Sequence, residues 1–453
     1  MLRIGSAEGF YGDDVTRALP MIEGGHVDVV CFEALSELTL AILRRDQMRD
    51  PARGYTRDID TIAARILPLA FARGVPLITN GGGLNPAGAA AAVRAAAERA
   101  GLRGLRIATV TGDDLLDALS ELAAAGETFT NIETGQPLSL EGTPIVTANA
   151  YLGAEPITRA LAQGAHIVIT GRVADPSLYL APLVHHFGWA ADDWNRLAAG
   201  TICGHLLECT GQVVGGNSLA LLRRVTAADL AHPGYPIAEV EEDGSFILTK
   251  TPGLAGHVTV ETVKEQLLYE MHDPRRYLTP DVVADITTLR LEPAGEDRVR
   301  VSGVTGRPRT ETLKVNLARI EGYSRELIFT LGWPEVYRKE ILLREMLAET
   351  WQGLPISRVE LTRLGQDSVN GPLAPPPEDP AELVVRVVFT ASEPETLKAA
   401  VRRAMALGLS GPAGMSVSGQ SVGAEPRPLL GLWPALIARG QVEPRVTVTI
   451  TEV

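Results

Sequence analysis

Residues 75–86 read VPLITNGGGLNP. An apolar strand ends at Asn80, runs through Gly81, Gly82 and Gly83, and meets Asn85 and Pro86 at what reads as a helix start. Three adjacent glycines let the backbone turn sharply and approach a ligand without side-chain obstruction. Asn85 suits an N-cap and Pro86 the first helical position, so free N–H groups of the following AGAAAAVRAAAERA helix are expected to face the loop. Such a loop is an anion-sized site, with Asn80, Gly81, Gly82, Gly83 and Asn85 as its candidates. The competing reading is a tight strand-to-helix crossover that holds no ligand. A dinucleotide fingerprint does not fit, because Pro86 stands where the third glycine belongs and the nearest acidic strand end, Asp113, comes too late.

Working outward, the first 220 or so residues alternate apolar strands (LRIGSA, HVDVVCFE, VPLITN, LRIATVTGDD, TPIVTANAY, HIVITGRVAD) with helical stretches. That alternation predicts a parallel sheet with helices on both faces and a ligand crevice outside the carboxyl ends of the strands. Glu8, Glu33, Asn80, Asp113, Asn149, Arg172 and Asp175 stand at those ends. After Ala231 the strands lengthen and alternate polar with apolar residues, as in a mixed or antiparallel sheet. The expected fold class is therefore α/β: an N-terminal doubly wound, mostly parallel sheet (1–225), an α+β domain (226–370), a proline-rich linker (371–382) and a small C-terminal α/β segment (383–453).

The chain has 453 residues, 45% of them hydrophobic and 21% charged, which is ordinary for a globular protein with two or three domains. Its formal charge of −13 argues against nucleic acid or an anionic membrane surface as a partner, while leaving room for a local basic pocket. No apolar run reaches membrane-spanning length, and the N-terminus MLRIGSAEGFYGDD lacks a signal-peptide layout. Three cysteines, Cys31, Cys203 and Cys209, form no CxxC pattern and point to a reducing compartment, so a cytoplasmic location is expected. With only five lysines, Schiff-base chemistry has few candidates.

Three further segments carry chemistry. In TICGHLLECTGQVVGGNS (201–218), a helix over 201–210 puts His205 and Glu208 on one face as an acid/base pair, and Gly215, Gly216 and Asn217 repeat the glycine-then-asparagine chemistry of the first loop. A buried structural histidine beside a solvated glutamate is the alternative. A zinc site from Cys203, His205 and Cys209 is disfavoured by spacing, and no metal is expected. In ITGRVADPS (169–177), Arg172 can clamp a carboxylate or phosphate while Asp175 caps the next helix; a plain Arg172–Asp175 ion pair is the alternative. Glu8, in a glycine-flanked loop after the first strand, is a third candidate base. The glycine-rich stretch 408–423 can serve as a lid or a connector.

Taken together, EGFYGDD, TNGGGLNP, TGRVADPSLYL, GHLLECTGQVVGGNS and RPLLGLWPALIARGQVEPRV resemble the AtuA family, named for acyclic terpene utilization, along nearly the whole chain. The resemblance implies catabolism of acyclic terpenes or related branched acids and their CoA thioesters. The resulting expectation is a lyase, hydratase or thioester-cleaving enzyme acting on a small anionic substrate, with Glu208, His205 or Glu8 moving the proton. No cofactor is expected beyond CoA as part of the substrate. The alternative is a non-catalytic binding or assembly subunit. Some members of the family carry a small C-terminal domain also found as a separate protein. The chain is thus expected to work as a homo-oligomer or with such a small protein.

Overall fold

A computed structural model describes residues 1–142, 144–371, 373 and 375–453. Two positions of the expected linker, 372 and 374, lie outside the described residues. The chain divides into two compact units: 1–140, 146–317 and 433–453 form the first, and 141–145 with 318–432 the second.

The first unit is built on a ten-stranded sheet whose centre is parallel. Leu2–Ser6, Val29–Phe32, Leu77–Thr79, Ile167–Thr170 and Arg106–Thr111 lie side by side in that order. The register pairs Ser6 with Cys31, Phe32 with Thr79, Thr79 with Ile169 and Thr170 with Val110, so the carboxyl ends come out level. Near-continuous burial of these strands matches a sheet covered on both faces. The helix Pro86–Arg99 turns Ala89, Val93, Ala96 and Ala97 into the core, where their small side chains let it lie close to the strands.

The α/β class with its parallel centre is as expected, and both edges of the sheet are antiparallel, so the sheet as a whole is mixed. Pro236–Val240 pairs with Leu2–Ser6 and continues through Phe246–Lys250 and Val299–Ser302 to Arg290–Pro293. On the opposite edge Thr447–Glu452 pairs with Arg106–Thr111. The boundary expected at 225/226 therefore falls inside one compact unit, and the last residues of the chain return to it. Antiparallel strands gain their partners by edge pairing rather than by helical crossovers, so nothing in the local strand–helix rhythm announces them. The expected strand around 145–150 stays out of the parallel set; Asn149 forms an isolated bridge with Asp114.

The helix Trp194–Leu207 is buried from Leu197 to Leu207, all the way round. Gly200 and Gly204 make that possible. A Cβ on Gly204 would stand 2.7 Å from the Pro176 backbone, and one on Gly200 would stand 2.6 Å from Leu180, so the helix Ser177–Phe187 packs directly onto this face.

The second unit is an antiparallel sheet in which Glu382–Ala391 lies between Ile356–Leu364 and the distal half of Thr312–Gly332. The helices Val336–Thr350 and Pro394–Met405 supply Leu343, Leu347, Leu397 and Val401 to a core with Phe329, Val385, Val387 and Phe389. Part of the stretch 408–423 is ordered as the strand Met415–Val417, paired with Phe329–Leu331, and as the short helix Gly419–Gly423.

Candidate active site

The glycine loop is a tight crossover. Gly81 N–H donates to Thr79 Oγ1, Gly83 to Asn80 O, Leu84 to Gly54 O and Asn85 to Gly82 O, so these four groups are already engaged within the protein. Asn85 caps its helix as expected, accepting from Gly88 N–H at 2.9 Å, and its amide donates to Ala52 O and Arg53 O. A Cβ on Gly82 would lie 2.5 Å from Thr170 O. That approach, rather than a ligand, explains the absence of a side chain there. The expected anion cradle of Gly81, Gly82, Gly83 and Asn85 is thus corrected to a structural turn. Asn80 turns its side chain toward the strand-end carboxyls: fully buried, it donates to Glu33 Oε1 at 2.9 Å and accepts from Ala34 N–H.

The level strand ends bring Glu8, Glu33, Asn80, Asp113 and Arg172 to one edge of the sheet, all of them buried. Arg172 is the hub. Its Nη1 donates to Leu35 O and to Asp175 Oδ1, both at 2.6 Å, and lies 3.8 Å from Glu33 Oε1. Its backbone N–H donates to Asp113 Oδ2, which Asn149 also reaches at 2.9 Å. Asp175 is not the expected N-cap, since the helix begins at Ser177 and its capping residue is Pro176. It is the ion-pair partner of Arg172 instead.

The Arg172 guanidinium lies 4.2 Å from the centroid of the Tyr151 ring, and Lys314 Nζ lies 4.6 Å from it. Lys314 also donates to Glu37 Oε1 at 3.0 Å, and the Tyr151 hydroxyl donates to the same oxygen. Although burial opposes its charge, Lys314 and Arg172 pull the Glu37 carboxyl down to about 2. The Lys314, Glu37 and Asp175 side chains are 41%, 30% and 28% exposed, whereas Glu8 and Arg172 are sealed, so these three mark the mouth of the site.

His205 and Glu208 complete it. Glu208 follows the last residue of the Trp194–Leu207 helix, three positions after His205, and His205 Nδ1 lies 3.0 Å from Glu208 Oε1. His205 Nε2 lies 3.2 Å from Leu267 O, an acceptor only, so Nε2 carries a proton. The Nδ1–Oε1 contact then shares one further proton. Burial raises Glu208 to about 7 against the pull of His205; burial lowers His205, but Glu208, with Leu267 O and Glu270, raises it overall. Glu208 Oε2 is buried with no hydrogen-bond partner. The reading of a solvated glutamate therefore fails. Asp175 acts on Glu208 and Glu33 alike, which ties the pair to the Arg172 cluster.

Glu8 is completely buried and neither of its oxygens meets a donor; burial, then Asp58, lifts it well above the carboxylate range. Burial, followed by Asp175, likewise raises Glu33, against Arg172 and Asn80. The site therefore contains carboxyl groups able to donate protons at neutral pH. Burial pushes the Cys209 thiol up to about 12, which keeps it out of thiolate chemistry. Gly215 and Gly216 close a turn on Gln212 O and Gly211 O, and Asn217 is exposed with its amide on Gln212 Oε1, so that turn contributes no group to the site. No group of three or more His, Cys, Asp or Glu side chains suits a metal among the described residues, and there no helix is long and apolar enough to cross a membrane.

Sequence reasoning placed Glu33 at a strand end without giving it a role, and it missed Glu37, Tyr151 and Lys314. These three come from a helix start, a segment beyond a strand and a residue far along the chain, and only their convergence marks them.

A family model described as acyclic terpene utilisation family protein AtuA matches residues 2–448. No curated protein and no solved structure matches the chain.

Proposed function

The chain belongs to the acyclic terpene utilisation family AtuA, and on that premise we propose that it is a catabolic enzyme acting on a small branched carboxylic acid or its CoA thioester by proton-transfer chemistry. The reaction is addition or removal of water, or cleavage of the thioester. Support comes above all from the buried His205–Glu208 pair, 3.0 Å apart, with Glu208 Oε2 free of any protein donor. In its carboxylate form Glu208 takes a proton from the attacking water or from the carbon next to the carbonyl, and His205 stabilises the charge. A neutral carboxyl at the strand ends returns a proton to the departing hydroxyl oxygen when water is removed, to the carbon next to the carbonyl when water is added, or to the departing CoA sulfur when the thioester is cleaved. Lys314, at the mouth, faces the anionic part of the substrate.

The test is turnover of a panel of CoA thioesters of short branched acids by the wild-type chain and by Glu208→Gln. The exchange keeps the side-chain volume and removes the titrating proton, so turnover falls by about two to four orders of magnitude if Glu208 is the base. Equal turnover by both proteins removes Glu208 from the mechanism. Tight binding without turnover by the wild type assigns the chain to the ligand-binding class instead.

A further inference from the structure

We propose that Arg172 Nε–H holds the acyl carbonyl oxygen of the substrate, which narrows that substrate to a thioester rather than a free acid. The assignment rests on the reading of the site proposed above and adds to it the group that meets the carbonyl.

Arg172 is fixed at every point but one. Its backbone N–H donates to Asp113 Oδ2 at 2.7 Å, and its backbone carbonyl accepts from Leu152 N–H at 3.3 Å. Residue 171 is a glycine where the chain meets Asp113 so closely: a Cβ there would lie 2.2 Å from Asp113 Oδ1. At the far end of the side chain, Nη1 donates to Leu35 O and to Asp175 Oδ1, Nη2 reaches Asp175 Oδ2 at 3.5 Å, and the guanidinium carbon lies 4.2 Å from the centroid of the Tyr151 ring. Of the three guanidinium nitrogens, Nε alone has no partner among the described residues, in a side chain that is sealed from solvent. A buried N–H on a charged group is costly to leave without an acceptor. Held at both ends, this guanidinium does not swing to find one, so the acceptor is the molecule that enters the site.

Charge decides what kind of acceptor it is. Asp175 pairs with Arg172, and Lys314, the other cation against the Tyr151 ring, pairs with Glu37. Glu33 Oε1 lies a further 3.8 Å from Arg172 Nη1. Each cation already has its own carboxylate, so no positive charge is left to offset a second one brought in by a free acid. A thioester carbonyl brings no charge when it binds. Its oxygen becomes negative as the neighbouring carbon loses a proton or as water attacks, and a fixed, water-excluded donor then stabilises it.

The test is calorimetric titration of the full chain with two compounds that cannot be cleaved. One is the ketone analogue of isovaleryl-CoA, with CH2 in place of sulfur; the other is S-isopentyl-CoA, with CH2 in place of the carbonyl. The wild type binds the ketone about 10- to 100-fold more tightly. Arg172→Lys keeps a charge beside Asp175 and removes Nε–H, so it brings the two affinities together, while sodium isovalerate binds no better to the wild type than to the variant. Equal wild-type affinities for the two CoA compounds overturn the proposal. So does a preference for the ketone that survives in Arg172→Lys, or isovalerate binding that this variant abolishes. If Arg172→Lys does not fold, the wild-type comparison decides alone. Failure of the wild type to bind either CoA compound overturns the reading of the site as well, whereas equal binding of both overturns this assignment only.

Discussion

The loop Asn80–Asn85 and the segment His205–Asn217 both carry adjacent glycines and both end in asparagine, yet they differ in what they leave unused. In the first, the N–H groups of Gly81, Gly83, Leu84 and Asn85 close on neighbouring backbone and side-chain acceptors, and Gly82 and Gly83 are glycines because Thr170 O and Gly54 O come too close for a Cβ. In the second, a buried carboxyl oxygen has no partner. Glycine reports a close approach, whether of protein or of ligand; only an unsatisfied polar group tells the two apart.

The largest effect should come from Glu208→Gln. Its turnover falls by about two to four orders of magnitude while its thermal midpoint stays near that of the wild type or rises, since a neutral amide replaces a buried acid. A turnover loss explained by a lower midpoint would erase the distinction drawn here.

Gly82→Val should act the other way. A Cβ 2.5 Å from Thr170 O and 3.0 Å from the Pro86 backbone forces the loop or the strand to shift, costing about 3 kcal/mol in chemical denaturation. A folded Gly82→Val protein of wild-type stability that fails only to bind ligand would return the loop to the role of anion cradle.

Acidity sharpens the comparison further. Burial holds Asp113 at about 6 in the folded chain, above its ordinary 3.8. An acid raised on folding binds its proton more tightly in the native state. Its stabilising contribution is therefore complete below the unfolded value and is lost as the pH rises through the folded one. Stability should decline by about 2 kcal/mol between pH 4 and 6 from this group, and Asp113→Asn should flatten that slope in pH-dependent denaturant melts. A slope unchanged in the variant would mean that Asp113 is ionised throughout. Glu208, raised to about 7, adds a loss in the same direction at higher pH.

Asn85→Ala gives the smallest effect, about 1 kcal/mol from the lost cap and no change in turnover. A drop in turnover at wild-type stability would show that Asn85 touches substrate.

The parallel centre of the fold was legible in the sequence, because each short apolar run ends in a polar residue and a helix follows, a rhythm set by local burial. The same logic exposed Glu8, Glu33, Asn80, Asp113 and Arg172 as strand ends, and the three- and four-residue helical spacing exposed His205 with Glu208. Other features had no local signature. The antiparallel edges, the return of Thr447–Glu452 to the first unit and the turn role of the glycine loop all depend on which distant backbone comes alongside. So do the partners that set ionisation: Asp175 for Arg172, Lys314 for Glu37, Asp58 for Glu8. Periodicity records which side of an element is buried, and the sequence by itself determined that much for this protein. What each buried group is buried against, and hence which carboxyl keeps its proton, was decided only by the tertiary structure, because desolvation and charge–charge energies depend on through-space neighbours.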